Sequence, residues 1–158
     1  MSLTREMREA SAAVQHLHTA WRELAVTATE DRPHGDGLAA ADRIAEVIAD
    51  GQGDLDEALA LLTGPPTVEG FWRTVCALDR VRRRYHEELR SFEAVSAVLR
   101  AVHSAGGRER GHEWQAWARG LRAGIAHCAE PLRAVDASVL RCLGELADMA
   151  LDDAVVTH

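Results

Sequence analysis

Lysine and asparagine are absent from this 158-residue chain, and all 18 basic residues are arginine. Isoleucine occurs three times and alanine 28 times. The joint shortage of Lys, Asn and Ile reads as codon bias of a GC-rich genome, so the arginines are not by themselves a sign of bidentate chemistry. Aromatic residues make up only 4%, which speaks against a β-rich fold. No stretch approaches ~20 apolar residues without charge, which excludes a membrane-spanning helix. No charged, apolar, small-residue leader opens the chain. The three cysteines, Cys76, Cys128 and Cys142, are widely spaced with no CxxC pair, so reduced thiols in a cytoplasm are expected.

What is present is a helical composition. The chain is 47% hydrophobic and 27% charged, too apolar for intrinsic disorder and long enough for one domain over 1–158. Ala, Leu, Arg and Glu, the strongest helix formers, dominate. Breakers at Asp31–Gly37, Gly64-Pro65-Pro66 and Ala105-Gly106-Gly107 divide it into four runs with short connections.

Within the runs, apolar residues recur at 3,4 spacing. The first carries Val14, Leu17, Trp21 and Leu24; the second Ala41, Ile48, Leu55 and Leu59. The third carries Val75, Leu78, Tyr85, Leu89, Phe92, Val95, Leu99 and Val102; the fourth Trp114, Trp117, Leu121, Ile125, Cys128, Leu132, Val135 and Cys142. This predicts an all-α, up-down-up-down four-helix bundle.

Two places strain the pattern. Gly51 and Gly53 cost a helix interior roughly 2 kcal/mol, which predicts an interruption there, with Asp54 capping a new short helix and Glu57 as its reciprocal partner. Pro131 predicts a continuous but bent last helix, because the apolar phase runs through it unchanged. That last run would span ~65–70 Å against ~40 Å for each of the first two. An overhang would expose its seam, and a homodimer is one way to cover it.

No spacing of residues in the chain forms a catalytic or metal-binding constellation. A di-metal bundle needs two Glu-x-x-His motifs, and the chain has one, Glu109 to His112. His16 and His18 lie two apart and point to different faces. His127 and Cys128 are neighbours but diverge by about 100°. Cys128 and Cys142 fall on the seam as core, and Cys76 flanks it. No phosphate-binding glycine motif is present. No catalytic, cofactor or metal residue is therefore assigned.

Charge is distributed unevenly. Residues 1–72 hold 13 acids and 5 arginines, residues 73–122 hold 6 and 11, and residues 123–158 hold 6 and 2. Arg80, Arg82, Arg83 and Arg84 form the densest basic cluster, with Arg83–Glu87 and Arg84–Glu88 at pairing distance on a helix surface. Trp21, Trp114 and Trp117 fall on seams. Antiparallel packing would bring Trp114 and Trp117 towards Phe92 and Val95, and Trp72 towards Val139. Phe71 and Val75 can fill the seam without Trp72, which makes Trp72 a candidate contact anchor.

Thr29-Glu30-Asp31-Arg32-Pro33, Gly107-Arg108-Glu109-Arg110-Gly111-His112-Glu113-Trp114 and Glu130-Pro131-Leu132 leading to Leu140–Ala147 together resemble an actinobacterial all-helical family. That family is associated with conflict (immune-type) systems pairing caspase-like proteases with repeat proteins. The resemblance implies a non-enzymatic adaptor or regulator and supplies no catalytic residue. The leading expectation is thus a protein–protein interaction module contacting a protease or repeat protein through Trp72, Arg80, Arg82, Arg83 and Arg84. Two alternatives stand beside it: a metal-binding bundle or enzyme using His16, His18, Glu109, His112 or Glu113, and nucleic-acid binding through Arg80–Arg84.

Overall fold

The computed structural model describes residues 2–33, 39–65, 67–90 and 108–156, with side chains for 5–33, 39–65, 67–90 and 111–148. All regular structure among them is helical. α1 spans Ser2–Thr29, α2 Ala39–Thr63 and α3 Val68–Arg84, which runs on into a π-helical turn, Tyr85–Leu89. α4 spans Arg108–His127 and α5 Ala129–Val156.

Contacts across the seams fix the helix directions. Trp21 reaches Ile48 while His18, one turn earlier, reaches Asp56, so α1 and α2 are antiparallel. Arg43 with Glu88 and Arg80 with Asp54 give the same relation for α2 and α3. Glu6 with Arg141 and Thr27 with Trp117 set α1 against the last run. Tyr85 with Ile125 closes α3 onto it. The result is the expected up-down-up-down bundle.

Local sequence explains the elements. Thr67, in extended backbone, accepts a hydrogen bond from the Gly70 N–H at 2.9 Å on Oγ1 and caps α3. Glu69 in the first turn of α3 complements the helix dipole. The main core buries Leu17, Trp21, Leu24, Ile48, Leu55 and Leu121 completely, each side chain contributing roughly 1.5–3 kcal/mol. A smaller cluster joins Ala10, Phe71 and Cys142, with Val75, Leu143 and Leu146 packed around it.

Two expectations are corrected. α2 is continuous through Gly51 and Gly53. Gly51 is buried under Trp21, whose indole N–H donates to the Ile48 carbonyl at 2.8 Å. A Cβ at position 51 would sit 2.3 Å from the Trp21 ring. The glycine is there to admit the ring, and packing offsets its propensity cost. Asp54 accordingly caps nothing; it lies within the helix and faces α3.

The last run is continuous but for a single residue, three before Pro131. Cys128 is a single non-helical residue between α4 and α5. Its N–H is shared between the Gly124 and Ile125 carbonyls at 3.2 Å each, and its carbonyl accepts from Leu132 at 3.0 Å. Pro131 has no N–H to give the His127 carbonyl, so the ladder lapses one turn before the proline, which then sits in the first turn of α5 where it is tolerated. Ile125, Cys128, Leu132 and Val135 are all buried, so the apolar phase does run through the break.

Phe92, Val95, Leu99, Val102, His34, His103, His158 and the Ala105–Gly107 break lie outside the described residues.

Candidate interaction surfaces

The arginine cluster divides by helix face. Arg80 Nε lies 3.1 Å from Asp54 Oδ1, and its Nη2 lies 3.1 Å from Glu57 Oε2. Arg84 pairs with the other Asp54 oxygen, and Arg73 reaches Glu57 at 3.6 Å. Asp54, with 14% of its side chain exposed, anchors this ladder between α2 and α3. Arg82 and Arg83 point away from α2 and share Asp79, at 2.5 and 3.0 Å.

The pairs expected with Glu87 and Glu88 do not form. Glu88 pairs with Arg43 of α2 at 2.8 Å. The π-helical turn explains the change, because it alters the register that an i,i+4 pair assumes. Each arginine of the cluster is thus paired with a carboxylate in place, and Arg80, Arg82 and Arg83 stay exposed on the surface.

Trp72 is 52% exposed, and Val68, one turn before it on the same face, is 65% exposed. Phe71 takes the inward place and meets Cys142, with Val75 beside it. Leu140 of α5 is 68% exposed. It lies one turn beyond Asp136, whose carboxyl feels the charges of Arg82, His86 and Asp79. Burial raises the Asp136 carboxyl above its ordinary value, and Arg82 opposes that shift. Val68 and Leu140 had no signal as contact residues in the sequence; an apolar residue off the seam on each of two adjacent helices would have been one.

Trp117 and Trp114 sit edge to face, 5.3 Å apart. The Trp117 indole donates to the Thr27 carbonyl at 2.8 Å, and the Arg32 guanidinium lies 5.7 Å over Trp114. Both tryptophans are buried at the end of α1.

The histidines and thiols are scattered. His18 reaches Asp56 at 2.6 Å, whereas His16 is exposed. His112, Glu113 and His127 are exposed on α4. Among the described residues, no group of three or more His, Cys, Asp or Glu is placed to hold a metal ion. Cys128 is fully buried, and its thiol is pushed up to about 12 by burial and then by the charge of Glu23. Burial, then the Glu6 carboxylate, raises Cys142. Such thiols stay protonated at neutral pH and make poor nucleophiles. Cys76 is exposed. No described helix is long and apolar enough to cross a membrane.

No protein-family model, curated protein or solved structure matches the chain.

Proposed function

We propose that this chain is a non-enzymatic protein–protein interaction module, an adaptor or regulator, and that its contact surface is the α3–α5 face. The observation that carries the reading is the half-exposed Trp72 with exposed Val68 one turn before it on α3, and an exposed Leu140 on α5. Large exposed apolar side chains lower their free energy by docking, and tryptophan is among the residues enriched at binding hot spots. Arg80, Arg82, Arg83 and Arg84 supply the polar flank on α3, Arg80 and Arg84 from within the ladder to α2.

The resemblance drawn from the sequence points to the partner class: a caspase-like protease or a repeat protein of a bacterial conflict system. The test mixes the purified full chain with such proteins encoded beside its gene and follows co-elution and protease activity. Co-elution that weakens at least ~10-fold in Trp72→Ala and Leu140→Glu, about 1.4 kcal/mol, with circular dichroism unchanged, supports the reading. Absence of co-elution together with unaltered protease activity, or binding indifferent to both substitutions, overturns it.

A further inference from the structure

A second surface lies between α1 and α4. Two adjoining clefts of about 510 and 360 Å³ share Thr27 and Gly120. Their floor is small and largely apolar, formed by Ala20, Thr27, Ala116, Gly120 and Ala123. The helices approach closely here because Gly124 has no side chain: a Cβ there would sit 2.9 Å from Leu24 Cδ1. The lining on α4 runs from Glu113 to His127, about 21 Å of helix at 1.5 Å per residue, room for three to four turns of another helix.

The charge of this groove separates it from the other seams. Glu23, Asp31 and Glu113 line it, and none of the three makes an ion pair among the described residues. On the α2–α3 seam Asp54, Glu57 and Glu88 each pair with arginine, and on the α1–α5 side Glu6 and Glu9 do. Among the described residues, no arginine lines either cleft. Among the described residues, the α2–α3 and α1–α5 seams thus pair these carboxylates with arginine, whereas Glu23, Asp31 and Glu113 stand beside an apolar floor with no ion pair.

We infer that the α1–α4 groove docks a cationic amphipathic helix of a partner protein. Its small apolar face lies over Ala116, Gly120 and Ala123, and its flanking Arg or Lys residues meet Glu23, Asp31 and Glu113. This is helix-in-groove recognition with acidic rims setting the choice of partner. The site uses a different helix pair from the Trp72 face, so the two surfaces stand or fall separately.

The test uses the full chain, isotopically labelled, and a synthetic helical peptide of about 16 residues with Ala and Leu on one face and Arg flanking it. A second peptide carries Glu in place of Arg. The Arg peptide should shift amide signals of residues 20–31 and 113–127 and the Trp117 indole, with affinity falling as salt rises. The combined variant Glu23→Gln, Asp31→Asn, Glu113→Gln should bind at least ~10-fold more weakly. Ala123→Arg, at an exposed position, should do the same without touching the core, and Trp72→Ala should change nothing. Equal binding of the Glu peptide, unchanged affinity in both groove variants, or shifts centred on α2 and α3 would overturn the proposal. So would concentration-dependent shifts of the groove residues in the chain alone, which would make a second copy the occupant.

Discussion

Position 51 shows how much one missing methyl group decides. The Trp21 ring occupies the space of a Cβ at residue 51, and its indole hydrogen bond to Ile48 keeps the ring from withdrawing. Gly51→Ala should therefore strain the core by about 1–3 kcal/mol and weaken a hydrogen bond worth roughly 1 kcal/mol, against a helix-propensity gain of about 1 kcal/mol. The expected net loss is about 2 kcal/mol, a fall in Tm of roughly 5–8 °C for a chain of this size. Gly53→Ala is the control two residues away. Nothing lies within 4 Å of its added Cβ, so it should stabilise by up to about 1 kcal/mol. Thermal melts of the two variants must move in opposite directions; movement in the same direction would show that Gly51 serves backbone freedom instead of the ring. In the sequence both glycines look alike, as breakers, because the feature that separates them is a side chain 30 residues earlier on another helix.

Among the elements, α2 and α3 are joined by a charge ladder as well as by apolar packing. Asp54 faces Arg80 and Arg84 at a poorly exposed position, whereas Asp79 serves Arg82 and Arg83 on the open surface. Surface pairs contribute 0–1 kcal/mol, while removing one partner of a buried pair strands the other charge at a cost of about 3–5 kcal/mol. The Asp54 site lies between these limits, and Asp54→Ala should cost about 2 kcal/mol. A double-mutant cycle over Asp54→Ala and Arg84→Ala should give a coupling above about 1 kcal/mol, and the same cycle over Asp79 and Arg83 below about 0.5 kcal/mol. Equal couplings would mean that burial at Asp54 has no energetic effect. Part of this ladder was legible: Arg73, Arg80 and Arg84 recur at 7,4 spacing, and Asp54 and Glu57 at 3, which puts each set on one stripe. The i,i+4 expectation for Glu87 and Glu88 failed because it assumed an unbroken α-ladder, and nothing in Tyr85–Leu89 announces a π turn. The break at Cys128 was half legible, since Pro131 marks the missing donor but not which carbonyl loses it.

For the whole molecule, the bundle class and its antiparallel order followed from composition, breakers and apolar phase, which are local and additive signals. The interaction faces did not, because they depend on which off-seam residues the assembled helices bring side by side. One global property returns to the missing lysine. Arginine stays charged throughout the alkaline range, so with no lysine, three cysteines and one tyrosine, very few side chains titrate there. Three of those four, Cys128, Cys142 and Tyr85, are pushed up, with burial the largest cause for each. The Cys128 thiol moves from 9.0 to about 12. Between those values the unfolded chain has released this proton and the folded chain still holds it. The folded state then binds more protons, so stability must fall as pH rises, by up to about 1.4 kcal/mol per pH unit from Cys128 alone. Below about pH 9 both states keep the proton and this effect vanishes. Urea melts at intervals from about pH 8 to about pH 11 should show the decline in the native chain. Cys128→Ala will be less stable at about pH 8, because it leaves a cavity, yet its stability should fall more gently with pH. Parallel pH slopes for the two chains would show that the buried thiol does not govern the alkaline limb.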